Sequence, residues 1–459
     1  METQAPRPKA LLVGLQLPQM TEADNVASLQ ELQRLVHTLG FDVVGTVTQK
    51  RGGTKSALVV GEGKLRELAR WTGGPGFVAS MVTRKKSKAA ERFDQPAEDL
   101  DEDEVEETEV GGPPEGVQAT VIVFDNELSP SQLRNLESAT GAEVLDRTGV
   151  IIEIFSRHAR TKAARLQVEI ARLKYLAPRI RETGGASERQ GGGVGGKGSG
   201  ESSQELDRRH IRDRIKELRH ELESVQGEGQ LRRNRRSGEN AVALVGYTNA
   251  GKSSLMRAMT GSDILVADKL FATLDTTVRP LHPPSQPRIL LSDTVGFIKK
   301  LPHDLVASFQ STLEEALNAD LLLYVVDSAD PTFRQQLEVT RQVLGEIGAT
   351  DQPAYLVLNK RDKLSEEEAA ALRAEFPDAI QLSTREPKDL AALRETLLSF
   401  FEKDMSEADL TVPYGVQGAI GEIRRQMRVI GESYTEGGVT LKVRGRAEEL
   451  ARLRARFKL

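Results

Sequence analysis

Apolar positions recur along this chain in two periods, and the alternation between them lays out its architecture. Residues 10–14 form a short apolar run of strand type. Over residues 27–39, Leu29, Leu32, Leu35 and Val36 step by three and four, which places them on one face of a helix. Residues 42–49 and 57–61 predict two further strands, and residues 64–71 a short helix. After a break the pattern resumes with a strand over 120–124, a helix over 129–140 that Ser129 can cap, and another apolar stretch over 148–155. Strands alternating with helices predict a small α/β domain spanning residues 1–156.

The break itself, residues 72–116, has no sustained period. It holds a basic patch (Arg84, Lys85, Lys86, Lys88) and an acidic run over 98–109. Like charges at that density repel and build no core, so a disordered insertion is expected, serving as a solubilising loop rather than a docking tail.

A different pattern fills residues 157–238. Leu166, Ile170, Leu173, Ala177 and Ile180 form one seam, and Ile211, Ile215, Leu218, Leu222 and Val225 a second. The two seams predict an antiparallel helical hairpin, either as a coiled-coil pair or as two helices packed on a core. The remaining faces carry Arg160, Lys162, Arg165, Arg172, Lys174, Arg179, Arg208, Arg209, Arg212, Arg214 and Lys216, with Arg232, Arg233, Arg235 and Arg236 beyond. Such faces suit either solvent or RNA phosphates, which need clustered cations. The connecting residues 184–203 are glycine-rich. They nearly copy a phosphate loop, but Gly198 stands where a hydroxyl residue is required. A flexible tip that orders against a partner is the better reading.

From residue 239 to 403 the strand–helix alternation returns, with helices expected over 304–318, 332–347 and 366–375. Residues 404–459 predict a small α+β domain: a strand over 409–414, a helix over 416–429, a strand over 438–443 and a basic helix over 447–458. At 459 residues the chain exceeds one compact core, consistent with this division. Its net charge of −5 exerts no global pull toward nucleic acid, and no DNA partner is expected. The absence of cysteine excludes disulfides and cysteine-ligated zinc, and fits a reducing cytosol. No apolar run approaches the ~20 residues of a membrane span, so a cytoplasmic protein is expected.

The chemistry is carried by residues 241–254. A buried-type strand over 241–245 runs into Gly246, Tyr247, Thr248, Asn249, Ala250, Gly251, Lys252 and Ser253, followed by Ser254. This fits G-x-x-x-x-G-K-[ST] without mismatch. Glycines let the backbone wrap the α- and β-phosphates, Lys252 reaches the β- and γ-phosphates, and Ser253 can ligate Mg²⁺. The helix that starts near Lys252 adds its positive end. A second strand leads to Asp293, Thr294, Val295 and Gly296. There Asp293 can hold Mg²⁺ through water and the Gly296 N–H can meet the γ-phosphate. Between the two lie Phe271, Ala272, Thr273, Leu274 and Asp275. Thr273 is the first choice to complete the metal shell, with Thr276 and Thr277 as rivals. A third strand, 354–358, ends in Asn359, Lys360 and Asp362. A carboxylate at Asp362 accepts from guanine N1–H and N2–H₂, whereas adenine would leave it poorly paired. Ser383 and Thr384 can offer a backbone N–H to guanine O6. These motifs at the ends of successive strands suit ligand binding at the carboxyl edge of a doubly wound sheet.

Taken together, the motifs at 246–253, 271–275, 293–297 and 359–362 resemble the Obg–HflX class of translational GTPases. Three further segments make the chain similar to the HflX family in particular: 125–130 (DNELSP), 144–148 (VLDRT) and 166–169 (LQVE), with the glycine-rich loop and Asp207, Arg208 and Arg209. The resemblance implies a Ras-like P-loop GTPase domain, GTP hydrolysis with Mg²⁺, and binding to the large ribosomal subunit and its RNA. It implies a hairpin tip that reaches the peptidyl-transferase region and, for some members, separation of stalled ribosomes. Departures are the 72–116 insertion, Ser199 for the usual proline, Ser203 and Gln204 for Gln-Leu, and Thr384 and Arg385 for Ala-Lys. In Ras-like enzymes a glutamine after D-x-x-G orients the attacking water, and here that position is Phe297. Slow intrinsic turnover is therefore expected, carried by Lys252, Thr273 and Gly296 and completed by a group from a partner. The alternatives are a GTPase switch with a protein partner and no ribosome binding, or an RNA-remodelling NTPase.

Overall fold

The computed structural model describes residues 7–78, 113–114, 116–179, 203–234, 239–262, 270–271, 276–300, 315–349, 352–403, 405–416, 418–445 and 447–457. The chain divides into two compact units, residues 1–159 with 165–222 and residues 160–164 with 223–459.

In the first unit, β1 (Lys9–Gln16), β2 (Asp42–Lys50), β3 (Val121–Phe124) and β4 (Glu143–Asp146) form a parallel sheet in the order β2-β1-β3-β4. A parallel sheet buried on both faces needs near-continuous apolar strands. β1 and β3 meet that demand, with Leu11, Leu12, Ile122 and Phe124 at or near zero exposure. The helices are α1 (Glu22–Thr38), α2 (Glu62–Thr72), α3 (Pro130–Thr140) and α4 (Arg147–His158). Thr21 with Asp24, and Ser129 with Gln132, form capping boxes, so the expected Ser129 cap is present.

Residues 57–61 are not the strand expected of them; they form an irregular buried segment in which Val59 takes φ 64. Local turns and side chains take its backbone groups instead of a ladder: Val59 N donates to Ser56 O and Val60 N to Leu58 O. Asn135 Nδ2 donates to Ala57 O and Gln49 Oε1 accepts from Gly61 N, while Gln132 Nε2 holds the residues just before, Thr54 O and Ser56 O. Residues 72–78, assigned by pattern to the insertion, belong to this core. Gly73 closes α2 in the left-handed conformation and Val78 is buried. The basic and acidic runs at 84–88 and 98–109 lie outside the described residues.

α5 (Lys162–Leu176) and α6 (Ser203–Asn234) follow the sequence seams, but not symmetrically. α5 buries Leu166, Gln167, Val168, Ile170 and Ala171, more than one stripe, as a core helix does. Among the described side chains of α6 up to Leu222, only Leu218 is fully buried, with Ile211, Ile215 and Leu222 half-buried. Arg214 reaches Glu169 at 3.2 Å and Glu217 at 2.7 Å, tying one helix to the other. Arg179, expected on an outer basic face, instead turns inward. It donates to Asp146 Oδ2 at 3.1 Å and lies 3.5 Å over the Tyr175 ring. Burial and the Asp146 carboxylate raise the Tyr175 phenol well above its usual range. The glycine-rich residues 184–202 and Arg235 and Arg236 are outside the described residues.

The second unit contains a six-stranded sheet ordered β10-β9-β8-β5-β7-β6. Its strands are β5 (Asn240–Val245), β6 (Thr277–Pro280), β7 (Ile289–Asp293), β8 (Leu321–Asp327), β9 (Ala354–Asn359) and β10 (Ile380–Gln381). All pair in parallel except β6, an antiparallel edge the pattern did not announce. α7 (Lys252–Thr260) and α10 (Pro387–Glu402) pack with Val242, Leu244 and Leu323 in one apolar cluster. α8 (Phe333–Glu346) and α9 (Glu366–Glu375) pack with Val326 and Leu358 in another. Of the helix expected over 304–318, residues 301–314 lie outside the described set. At the end of the chain β11 (Ser406–Pro413), β12 (Arg428–Thr435) and β13 (Gly438–Gly445) form an antiparallel sheet ordered β11-β13-β12. α11 (Ala419–Gln426) and α12 (Ala447–Phe457) join its core. The helix expected over 416–429 is therefore shorter, and β12 is a strand the sequence concealed.

Candidate nucleotide site

β5 lies inside the sheet between β7 and β8, so its carboxyl end opens between two further strand ends. The chain leaving it must turn sharply. Gly246 has φ 150 and Gly251 φ 96, with Asn249 at φ 60 between them. A Cβ on Gly246 would lie 2.2 Å from Val325 O, and one on Gly251 2.2 Å from Asn359 Nδ2. Only glycine fits such close approach at positive φ.

Lys252 opens α7 and is 6% exposed. Its Nζ donates to Gly246 O at 2.9 Å and Tyr247 O at 2.7 Å, closing the loop on itself. Burial lowers its pKa to about 8, and nearby Asp293 partly opposes that shift. Ser253 Oγ donates to Asp293 Oδ2 at 2.7 Å. A hydroxyl and a carboxylate make the all-oxygen donor set that Mg²⁺ prefers. Among the described residues no group of three or more His, Asp or Glu could hold a metal by itself. The Thr248 Oγ1 atom in the loop is buried and has no hydrogen-bond partner among the described residues.

The segment after β7 is stitched to this loop. Thr248 N donates to Phe297 O at 2.8 Å, Phe297 N to Gly246 O at 3.1 Å, and Lys299 N to the Tyr247 hydroxyl at 2.5 Å. Thr294 Oγ1 donates to Leu244 O at 2.7 Å. A Cβ on Gly296 would come within 2.8 Å of Thr248 Cγ2 and 3.0 Å of Lys252 Nζ. Phe297 is 2% exposed and brings no polar atom of its own beyond the backbone.

On the other side, Asn359 Nδ2 donates to Ala250 O at 2.9 Å and Lys360 Nζ to Asn249 O at 2.8 Å. Asp362 accepts from Ser383 Oγ at 2.7 Å and pairs with Arg385 at 3.4 Å. Ser383 N in turn donates to Asp389 Oδ2 at 2.7 Å. The structure thus brings together the candidates at 246–254, 293–296, 359–362 and 383–384. Phe271 is buried at φ 57, while Ala272, Thr273, Leu274 and Asp275 lie outside the described residues. Sequence reasoning missed Asp327, whose Oδ2 accepts from Lys360 Nζ at 2.7 Å. The available signal was its place at the end of an apolar run parallel to those closed by Asp293 and Asn359.

Comparison with known proteins covers most of the chain. The model of the GTP-binding GTPase N-terminal region matches residues 26–84 and 100–156, and that of the GTP-binding GTPase middle region matches 158–236. A model described as 50S ribosome-binding GTPase matches residues 241–360. A protein named GTPase HflX from Gluconacetobacter diazotrophicus is 58% identical over 454 residues, covering 99% of each chain. The chain belongs to the HflX family. HflX relatives from Caldanaerobacter subterraneus and Escherichia coli are 37% and 35% identical, covering 97% and 92% of this chain and 93% and 91% of their own length. As an HflX-family member with a P-loop α/β domain, the protein binds guanine nucleotide and hydrolyses GTP to GDP and phosphate. No helix among the described residues is long and apolar enough to cross a membrane.

Proposed function

We propose that this HflX-family GTPase binds the large ribosomal subunit in the cytoplasm and couples GTP binding and hydrolysis to that association. The observation that carries the reading is the match of residues 241–360, which hold the nucleotide site, to a model described as 50S ribosome-binding GTPase. Exposed cations on α6 support it: Arg208, Arg209, Arg212 and Arg219 are all solvent-facing. On the same helix Arg214 pairs with Glu217 and Glu169, and Lys216 with Asp213, so those two cations are partly neutralised. In this reading residues 1–156, 157–238, 239–403 and 404–459 are the working parts, and the tip at 184–203 meets ribosomal RNA.

Within the site, Lys252 and the loop amides hold the β- and γ-phosphates, and the Gly296 N–H meets the γ-phosphate. Asp362 reads guanine, with Ser383 and Thr384 closing the base pocket. Ser253 and Asp293, the latter through water, would hold Mg²⁺ with Thr273. When bound, the ion neutralises charge developing on the phosphate oxygens. Phe297 offers no side-chain acceptor for the attacking water, so the resting enzyme turns over slowly and a partner completes water positioning.

GTP turnover with and without purified large subunits tests the coupling; stimulation is expected, and an unchanged rate at saturating subunits rejects it. Co-sedimentation should favour a non-hydrolysable GTP analogue over GDP and should be lost on deleting residues 184–203. A deletion that leaves co-sedimentation intact removes the tip from the interface.

A further inference from the structure

We propose that Asp327 is a positioning residue of the nucleotide site: it holds Lys360 as a clamp on the phosphate loop and thereby sets how long guanine nucleotide stays bound. Asp327 closes β8. Its Oδ1 accepts from Ala329 N at 3.2 Å, which fixes the carboxylate against the following turn. Its Oδ2 accepts from Lys360 Nζ at 2.7 Å, with both side chains only 18% exposed. The same ammonium donates to Asn249 O in the phosphate loop at 2.8 Å.

The two residues joined by that bond, Lys360 at φ 63 and Asn249 at φ 60, are both non-glycine residues in the left-handed region. Such backbone persists where its surroundings over-determine it, and it clusters at working sites. Here the surroundings are on view. Asn359 Nδ2 holds the next carbonyl, Ala250 O, at 2.9 Å, and Ser328 donates from both N and Oγ to Asn359 O at 3.0 and 2.5 Å. The ends of β8 and β9, paired at Asp327 and Asn359, therefore bracket two consecutive carbonyls of the loop.

In a planar trans peptide the carbonyl and the following N–H point opposite ways. Holding Asn249 O and Ala250 O on the strand side aims the N–H groups of Ala250 and Gly251 away from it, into the loop that cradles phosphate, where Ala250 N donates at 3.4 Å to Tyr247 O. Asp327 supplies the charge that keeps a largely buried ammonium in that position. Because those amides serve the α- and β-phosphates, which GDP and GTP share, the effect falls on retention of both nucleotides rather than on the chemical step.

The inference rests on the guanine reading of residues 359–362, so its test carries a control for that reading. Release of a fluorescent GDP from the full chain is measured for wild type, Asp327→Asn, Asp327→Glu, Lys360→Met and the double variant Asp327→Asn/Lys360→Met. Asp327→Asn is expected to speed release roughly tenfold, the scale of a charged hydrogen bond. It should raise KM for GTP with kcat unchanged, and Asp327→Glu should recover part of the loss. Lys360→Met should show the same loss, and the double variant no more than the larger single effect. Should Asp327→Asn not fold, Asp327→Glu and Lys360→Met carry the comparison. Wild-type release from Asp327→Asn, or a fall in kcat with release unchanged, overturns the proposal. The control is Asp362→Asn, whose amide should favour xanthine nucleotides because xanthine carries a C2 carbonyl in place of the amine. If that preference does not switch, the site reading fails and the proposal with it. If it switches while Asp327→Asn behaves as wild type, the clamp alone fails.

Discussion

Lys252 must be charged to meet phosphate, yet it sits where charge is costly. Burial holds its pKa near 8, below the 10.5 of an unstructured lysine. Between those values the unfolded chain binds a proton that the ligand-free fold does not, so stability of the ligand-free protein rises with pH through that window. Nucleotide binding runs the other way. Phosphates favour the ammonium, so binding takes up a proton once the free site has lost it. GDP affinity is expected to hold steady below about pH 8 and then fall by up to about tenfold per pH unit. Fluorescence titration across that range checks it, and Lys252→Ala should lack the slope. Gly296 carries a second prediction. Its missing Cβ faces Thr248 Cα at 2.9 Å as well as Lys252 Nζ at 3.0 Å, so backbone as well as side chain would have to move. Gly296→Ala should therefore lower GTP turnover by at least about tenfold while circular dichroism stays unchanged. At this scale the motif residues were legible because their chemistry demands fixed spacing. Asp327 was not, because only its place at a strand end marks it and its partner Lys360 lies across a strand pair, at no fixed spacing.

Helices announced themselves through their faces and caps; the edge strands β6 and β12 and the irregular segment 57–61 did not. Residues 57–61 read as a strand because they are apolar, but their hydrogen bonds go to local turns and to the side chains of Asn135, on α3, and Gln49, at the end of β2. The start of β12 was read as the end of a helix because it is an edge strand, exposed along most of its length, with no fully buried residue to mark an inner face. α4 begins on a feature of the same tertiary kind. Arg147, 1% exposed, is held by Glu31 from α1 and by Asp125 at 2.7 Å, while Ser28 donates to the other Asp125 oxygen at 2.6 Å. Removing one member of a buried charge group leaves the others uncompensated. Arg147→Ala is expected to destabilise the first unit by about 3–5 kcal/mol, read by urea titration of its Trp71 fluorescence. A shift below about 1 kcal/mol would show that the acids relax without it.

Each of the two compact units has a core of its own. One is built around Leu11, Phe124 and Trp71, while the other is built around Leu244, Leu323 and Leu397 with satellite clusters. Calorimetry should accordingly resolve two transitions, and GDP should raise only the one belonging to residues 223–459. At about a hundredfold excess over its dissociation constant the gain is about 2.7 kcal/mol. A single transition that shifts as a whole would mean that the units unfold together.

Sequence alone determined the nucleotide class, the alternating architecture and the family. Each rests on local demands: a strand's apolar run, a cap, or a loop that only glycine can follow. The tertiary structure decided which cations face solvent and which, like Arg179, are drawn inward to Asp146. It also decided where the irregular segments find their hydrogen bonds, and that β8 and β9 jointly grip the phosphate loop. These depend on which residues meet after the chain has packed, and a pairing across many intervening residues leaves no period in the sequence to read.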